Sequence, residues 1–405
     1  MQKSVALTVG VCLLVLLVTL RLTGNFLPVD LTLIYFITLI YLIIGKFLYK
    51  DIDQSNGVVS TILISFYFLF ILSFLLSNLG TYSVDKFYIF SSLAVLPFFF
   101  GTVTLFKVRS FIRIFSLFFA VSISYMVLSS LATGGVDMLL SVSGLGFTLT
   151  DTGNTNVVSA YLIFGITSIY FVIKNRTSRS SFVLYWYLIV LFLALLFLFL
   201  TGSKGAYYSL FVAFLWISLM QTKLKLRSFL LILIFTAFIG TSAEGLSFLV
   251  EFAPESWQNF IEKQLLGDVN SDSVNTRLLL IGLALDGYLE SSSMFNILFG
   301  HGLGGFAGLI GDFEVRTYPH NILVEVLYEM GFFSLMVFVF MIFTVFKSGL
   351  KQGTYAANEF IWLYGMLVVF LVRSMTTDDL SGNVFVFIFI HLILSSGRDM
   401  IFKKV

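Results

Sequence analysis

The chain has 405 residues, of which 58% are hydrophobic and only 11% are charged. Soluble proteins carry about 25% charged residues, so this composition excludes a soluble globular domain. The net charge is +2, which gives no reason to expect a nucleic-acid partner. Long, continuous apolar runs favour membrane-spanning helices over the alternating pattern of a barrel. The sequence therefore predicts an all-α integral membrane protein.

Apolar runs bounded by charged or turn residues predict about twelve transmembrane helices. The first run follows Lys3 and has no small-residue cleavage site, so we expect an uncleaved span. The single cysteine, Cys12, lies inside that run and is interpreted as a packing residue. The predicted spans are 5–23, 29–45, 58–78, 87–106, 111–131, 157–174, 181–200, 205–222, 228–242, 320–346, 358–376 and 382–397.

The distribution of basic residues gives these spans an orientation, because cytoplasmic loops are enriched in Lys and Arg. With a cytoplasmic N-terminus, most of the 24 basic residues fall on the cytoplasmic side. An even number of spans then places both termini in the cytoplasm. The basic residues on the opposite side are Arg21, Lys86, Lys204, Lys263, Arg277, Arg316 and Arg373.

Three regions follow from this topology: transmembrane helices one to nine in residues 1–242, a large extracytoplasmic loop in 243–319, and the last three transmembrane helices in 320–405. The large loop is rich in carboxylates and is the only candidate for an extramembrane domain. We expect it to contain short helices and to be functional, because loops of this length usually are functional or disordered.

Within the large loop, aromatic residues such as Phe248 and Trp257 alternate with glutamates, which predicts an amphipathic helix at the interface. A second helical pattern runs from Val274 to Leu289. The following run, Gly300–Gly305, is too rich in glycine for a helix and predicts a turn or a re-entrant element.

The sequence contains no motif typical of a cofactor site. It has no phosphate-binding loop, and its His, Cys and carboxylate residues do not have the spacing of metal ligands. We therefore predict neither a metal nor a cofactor. Ionisable residues within the spans are also few, which argues against ion-coupled transport. The exceptions are Glu325, Glu329, Arg373 and His391.

The densest polar cluster, Arg316 to Asn321, lies where the large loop re-enters the membrane. Pro319 is predicted to begin the tenth span, with His320 and Asn321 in its first turn. The positive end of a helix keeps an imidazole neutral and attracts a phosphate group, so His320 is a candidate general base. The alternative interpretation is an interfacial histidine that is hydrogen-bonded to water.

Three short motifs carry a family resemblance. His320-Asn321, nine further residues and Gly331 resemble the His-Asn-x9-Gly signature of the bacterial O-antigen ligase and polymerase superfamily. Thr201–Gly205 is similar to its Gly-Ser-Arg-Gly element, with Lys204 where arginine is usual, and Leu298–Gly304 resembles its Gly-x-Gly loop. The motif residues that we interpret as structural are Gly202, Gly205, Gly302, Pro319 and Gly331.

The resemblance implies metal-independent glycosyl transfer from a polyprenyl-diphosphate-linked oligosaccharide at the outer face of the bacterial inner membrane. His320 would deprotonate an acceptor hydroxyl, which would displace the lipid diphosphate with inversion. Arg277 ranks above Lys204 because a guanidinium binds phosphate through two parallel hydrogen bonds. The residues expected to bind the diphosphate or the sugar are Arg277, Lys204, Arg316, Arg373, Asn321 and Tyr318. Further expected partners are membrane lipid and a chain-length regulator protein.

We favour a polymerase that joins repeat units of an O-antigen or capsule. Tyr318–Ile322 followed by Glu325 resembles polymerase sequences, and Ser334 departs from the ligase pattern of Gly, Thr or Tyr. One alternative is a ligase that transfers the glycan to lipid A core or protein. Another, from a different class, is a flippase or transporter of lipid-linked oligosaccharide, which would require a charged central cavity.

Two of the candidate arginines also have structural interpretations. Arg373 can mark the end of a span and pair with Asp378 or Asp379, and Arg316 can neutralise a neighbouring carboxylate such as Glu314.

Four other polar residues have open roles. Lys86 is interpreted as a surface charge. Glu325 and Glu329 share one face of the tenth span, where they either line a wet cavity for sugar hydroxyls or leave Glu325 alone buried and protonated. His301 is a rival base in the glycine-rich turn.

Overall fold

A computed structural model describes residues 57–95, 108–133, 155–175, 180–200, 204–220, 272–311, 313–352, 358–375 and 379–401. Within these ranges the regular elements are helices and there is no strand, which confirms the all-α class. A π-helical turn, Ser91–Val95, continues the second helix. The α-helices of the described ranges are α1 (Gly57–Leu75), α2 (Thr81–Phe90), α3 (Val108–Thr133), α4 (Thr155–Lys174), α5 (Ser181–Leu200), α6 (Lys204–Met220), α7 (Asp272–Leu289), α8 (Met294–Phe299), α9 (Gly305–Ile310), α10 (Ile322–Gln352), α11 (Asn358–Ser374) and α12 (Val384–Ile401).

Most of the predicted spans that fall in the described ranges coincide with a helix to within a few residues. The clearest shift is in the span predicted at 87–106, because α2 already begins at Thr81. In the described part of the chain, one stretch, Ile322–Lys347, is by length and composition able to cross a bilayer, and seven other apolar helices are shorter. The predicted spans 5–23, 29–45 and 228–242, and the amphipathic helix around Trp257, lie outside the described residues.

Helix α11 occupies the centre of the apolar core. Its residues from Phe360 to Leu371 are buried, and it packs against α6 and α12. Helix α5, by contrast, exposes large apolar side chains, among them Phe182 and Phe192. A helix that is apolar on all sides is suited to a membrane, where the exposed side contacts hydrocarbon.

Helices α7, α8 and α9 form a smaller cluster that packs on the first turns of α10. Ala284, Tyr288, Phe306 and Tyr328 are the buried residues of this cluster. The helix predicted from Val274 to Leu289 is confirmed as α7. The predicted turn is confirmed for Gly300–Gly304, between α8 and α9, whereas Gly305 already begins α9.

The start of α10 differs from the prediction that Pro319 begins the helix. The helix begins at Ile322, and Asn321 is its N-cap, because the Asn321 Oδ1 accepts hydrogen bonds from the backbone N–H groups of Leu323 (3.0 Å) and Val324 (3.3 Å). An N-cap residue lies outside the helical conformation. His320 therefore also precedes the helix, with φ of 55° in the left-handed region.

Helix α10 is interrupted at Gly331, which has φ of 78° and ψ of 179°. The break leaves the preceding carbonyls available for other donors. The backbone N–H of His301 donates to the carbonyl of Tyr328, and that of Gly302 donates to the carbonyl of Glu329, both at 3.0 Å. The glycine-rich turn thus replaces hydrogen bonds that a straight helix would have made.

Three glycines allow this close contact between backbones. Gly300, Gly302 and Gly331 all have positive φ, which is rare for residues with a side chain. A Cβ at Gly300 would overlap the backbone of Glu329, and one at Gly331 would overlap the carbonyl oxygen of Leu298. The Gly-x-Gly loop and the glycine of the His-Asn-x9-Gly signature are therefore two sides of one packing contact.

Candidate active site

The segment before α10 brings three predicted site residues into one stack. The Tyr318 and His320 rings have centroids 4.4 Å apart with an interplanar angle of 54°. The Arg316 Cζ lies 5.5 Å from the Tyr318 ring centroid. Tyr318, which we predicted to bind the sugar, therefore contacts two protein side chains, His320 and Arg316.

The His320 imidazole is neutral at neutral pH. Burial lowers its pKa, as do the positive charges of Arg277 and Arg316, while Asp379 opposes them; the resulting pKa is about 4. Its Nδ1 is buried and has no hydrogen-bond partner among the described residues. A neutral imidazole is able to accept a proton, which is the property required of a general base.

Arg316 is held by Asp379, a residue 63 positions away in the chain. Its Nη2 donates to the Asp379 Oδ1 at 2.9 Å, and its Nε donates to Oδ2 at 3.3 Å. Two parallel hydrogen bonds fix the plane of a guanidinium as well as its position. About half of the Arg316 side chain is exposed (51%), whereas the carboxylate is fully buried.

Asp379 accepts three further hydrogen bonds. The donors are the Tyr82 hydroxyl (2.8 Å), the Ser381 Oγ (2.7 Å) and the backbone N–H of Gly382 (2.8 Å). Burial by itself raises the pKa of Asp379, but Arg316, a second cation and these hydrogen bonds lower it to about 2. The carboxylate is therefore charged over the whole range in which the protein would work.

Lys86 is completely buried rather than on the surface, so its interpretation as a surface charge is wrong. Its Nζ forms ion pairs with Glu325 and with Glu329, the second at 2.6 Å. The Glu325 Oε1 also accepts the backbone N–H of Leu380 at 3.0 Å. Both glutamates are buried, so neither predicted role, a wet cavity or burial of Glu325 alone, describes them. A buried carboxylate requires a cation, and Lys86 supplies it.

The other predicted cations are placed differently. Arg277, in α7, acts electrostatically on His320. Arg373 is buried at the end of α11, where its Nη1 donates to the Ser159 hydroxyl at 3.0 Å. Lys204 and Gly205 stand in the first turn of α6, but the Lys204 side chain and Gly202 lie outside the described structure.

His301, the rival base, is engaged in packing. Its ring is stacked on the Tyr328 ring, with centroids 4.5 Å apart and planes at 12°, and its Nδ1 lies 3.2 Å from the Tyr328 carbonyl. Across the described ranges, no group of three or more His, Cys, Asp or Glu is arranged to hold a metal ion.

Three important residues of this region were not assigned to it from the sequence: Tyr82, Lys86 and Asp379. Two carboxylates within one apolar span indicate that a cation lies near them. Lys86, at the edge of another predicted span, could have been proposed as that cation. Tyr82 carries no comparable signal. Asp379 was considered only as a partner of Arg373.

These observations define a helical protein with membrane-suited apolar surfaces and a polar site just before α10, the longest of the described helices. Residues 188–339 match the family described as O-antigen ligase. This segment is similar to the domain of that family, which supports the resemblance to the O-antigen polymerase and ligase superfamily. Members of the family are bacterial membrane proteins of glycosyltransferase type. No curated protein matches the chain.

Proposed function

We propose that the protein polymerises polyprenyl-diphosphate-linked oligosaccharide repeat units into a surface polysaccharide, an O-antigen or a capsule, at the outer face of the inner membrane. The observation that carries the proposal is a neutral His320 imidazole whose Nδ1 has no hydrogen-bond partner among the described residues and on which two guanidinium groups act electrostatically. A base beside cations suits a reaction in which a hydroxyl loses a proton and a diphosphate leaves.

In this reaction His320 takes the proton of an acceptor hydroxyl on one repeat unit. The hydroxyl oxygen attacks the anomeric carbon of the donor glycan as the bond from that carbon to the lipid diphosphate breaks. The electron pair of the broken bond stays on the diphosphate, and the proton passes from His320 to solvent. A single displacement inverts the anomeric configuration, and no metal takes part.

The two guanidinium groups have different roles in stabilising the leaving group. Arg316 is bound to Asp379, which compensates part of its charge. Arg277 acts on His320 through its charge, and no carboxylate of the described residues pairs with it. We assign Arg277 as the principal ligand of the diphosphate and Arg316 as a second, oriented donor, with Tyr318 and Asn321 on either side of the base.

A ligase remains the second candidate, because the matching family is the one described as O-antigen ligase. It would use the same donor and base and differ only in the acceptor, lipid A core or protein. The flippase or transporter has less support, because the buried charges around Lys86 are engaged in ion pairs with side chains that are at most 1% exposed.

The test uses a deletion strain of the source bacterium complemented with His320→Ala, with His301→Ala as the matched control. Loss of a general base typically costs a factor of about 10²–10⁴ in rate, so polymer should disappear in the first variant. Membrane levels should remain unchanged in both variants, and polymer should persist in the second. Normal polymer length with His320→Ala would contradict the proposal.

The same experiment separates the candidates. Single repeat units on the lipid A core indicate a lost polymerase, whereas free lipid-linked polymer indicates a lost ligase. Flipping of substrate in proteoliposomes without a change in glycan length would favour a transporter.

A further inference from the structure

The carboxylate that holds Arg316, and the tyrosine that donates to this carboxylate, lie outside the matched segment, residues 188–339. Tyr82 lies in the first turn of α2, and Asp379 lies in the turn that precedes α12. Both are buried, and they are joined by the hydrogen bond from the Tyr82 hydroxyl to the Asp379 Oδ2 at 2.8 Å. The candidate site is therefore completed by residues that are distant in sequence from its motifs.

The carboxylate of Asp379 is itself immobilised. The backbone of its own turn is closed by hydrogen bonds from the N–H groups of Gly382 (3.1 Å) and Asn383 (3.0 Å) to the Asp379 carbonyl. With Tyr82, Ser381 and Gly382 donating to the carboxylate, Asp379 has no freedom to follow a moving arginine. An exposed arginine otherwise has about 2 kcal/mol of rotamer entropy, which binding of an anion would have to overcome.

The same turn of α2 also holds the loop that carries Arg316, through the side chain of Glu314. The Thr81 backbone N–H and hydroxyl both donate to the carboxylate of Glu314, two residues before Arg316. The loop is thus attached to α2 through Glu314, and its arginine is attached to the turn before α12 through Asp379. Both attachments favour a site that is organised before substrate binds.

We propose that Asp379 and Tyr82 are positioning residues of the active site, which orient the Arg316 guanidinium toward the leaving diphosphate. The proposal rests on the proposed function. Asp379 fixes the plane of the guanidinium, and Tyr82 fixes Asp379. Neither residue touches the reacting atoms, and both act on the leaving diphosphate through Arg316.

Asp379 also contributes to the electrostatics of the base. The charged groups that act on His320 are Arg277 from α7, Arg316 from its own loop and Asp379 from the turn before α12. The two arginines lower the pKa of His320, and Asp379 raises it. Removing Asp379 should therefore move the acidic limb of the rate profile to lower pH, whereas removing Arg316 should move it to higher pH.

The experiment uses the full-length protein in lipid nanodiscs and the lipid-linked saccharide extracted from the deletion strain. The variants are Tyr82→Phe, Asp379→Asn, Arg316→Gln and the double variant Asp379→Asn/Arg316→Gln. Initial rates are measured from pH 3.5 to 8, together with inhibition by inorganic pyrophosphate, which has the chemistry of the leaving group.

Two matched controls are available. Tyr364→Phe also removes a buried tyrosine hydroxyl, which donates to the Val345 carbonyl at 2.7 Å in another part of the molecule. Asp286→Asn removes an exposed carboxylate from α7. Both controls should keep the wild-type kcat and the wild-type inhibition by pyrophosphate.

Tyr82→Phe and Asp379→Asn should lower kcat by about ten- to a hundredfold, because small displacements of a positioned group cost up to about 10² in rate. KM should change little, and pyrophosphate should inhibit both variants more weakly. If Asp379 acts through Arg316, the double variant should be no slower than Arg316→Gln alone.

Wild-type kcat and inhibition in Tyr82→Phe and Asp379→Asn would overturn the inference, as would full additivity in the double variant. Because Asp379→Asn is able to reduce the yield of folded protein, Tyr82→Phe, which keeps the ring volume, carries the test in that event. Activity in His320→Ala would instead refute the proposed function, so the two failures are distinguishable.

Discussion

The two ends of the His-Asn-x9-Gly segment are built in opposite ways. At the first end, the His320 ring has a buried nitrogen without a partner among the described residues, and Asn321 uses its side chain to cap α10. At the other end, Gly331 has no side chain because backbone fills the space where one would be. One signature therefore combines two requirements: chemistry at the histidine and close backbone packing at the glycine. Substitutions along the segment should therefore separate activity from stability.

The largest effect on stability is expected at the glycine end. Gly331→Val places a β-branched residue at φ of 78°, and its Cβ would lie 2.5 Å from the Gly300 nitrogen. Overpacking costs about 1–3 kcal/mol and a left-handed conformation a further 1–3 kcal/mol or so, with backbone on both sides unable to yield. We expect little folded protein, measured as the monodisperse fraction after detergent extraction.

A matched control is Gly282→Ala in α7, where a Cβ would meet nothing within 4 Å. Alanine is more favourable than glycine in a helix by about 0.5–1 kcal/mol, so this variant should be slightly more stable than the wild type. Normal folding of Gly331→Val would show that the turn adapts, and that the glycine end is not fixed by packing.

The second-largest effect on stability is expected between the two ends, at Glu325 and Glu329, which both form ion pairs with Lys86. Lys86→Met keeps an apolar stem of similar length but leaves two buried carboxylates without their cation. Breaking a buried ion pair from one side typically costs about 3–5 kcal/mol. Thermal unfolding in detergent should show a correspondingly lower midpoint. Lys174→Met, at an exposed lysine whose Nζ lies 5.7 Å from the Tyr170 ring centroid, should change stability by no more than about 1 kcal/mol.

A second substitution tests the cause of that loss. Replacing Glu329 by Gln in the Lys86→Met background removes one of the stranded charges and should recover part of the stability. If the double variant is less stable than Lys86→Met, the ion pair is not the reason for the effect.

The sequence predicted the helices of this fold better than its charge contacts, for a physical reason. Apolar runs such as 181–200 begin and end where charge or turn residues do, so composition locates them. The pairs Lys86–Glu329 and Tyr82–Asp379 span 243 and 297 residues, and no local pattern reports such contacts. His320 and Arg316 were found because they stand in one short polar run, whereas their buried partners do not.

The start of α10 was misplaced for a related reason. Proline is favoured at the first helical position, and asparagine at the cap, and both rules apply to Pro319–Asn321. Only the structure decides between them, because the cap is defined by hydrogen bonds from Leu323 and Val324.

The smallest stability effect is expected at the histidine end. Asn321→Ala removes the cap of α10, and loss of an N-cap costs about 0.5–2 kcal/mol, far less than the changes at Lys86 or Gly331. The activity should fall more than this stability loss explains, because the cap also ends the helix directly after His320 and holds that residue at φ of 55°. Asn321→Asp retains a capping oxygen and should restore the thermal midpoint. An alanine variant with wild-type activity would mean that His320 is held by its stack with Tyr318 alone, and that the cap contributes only to the helix.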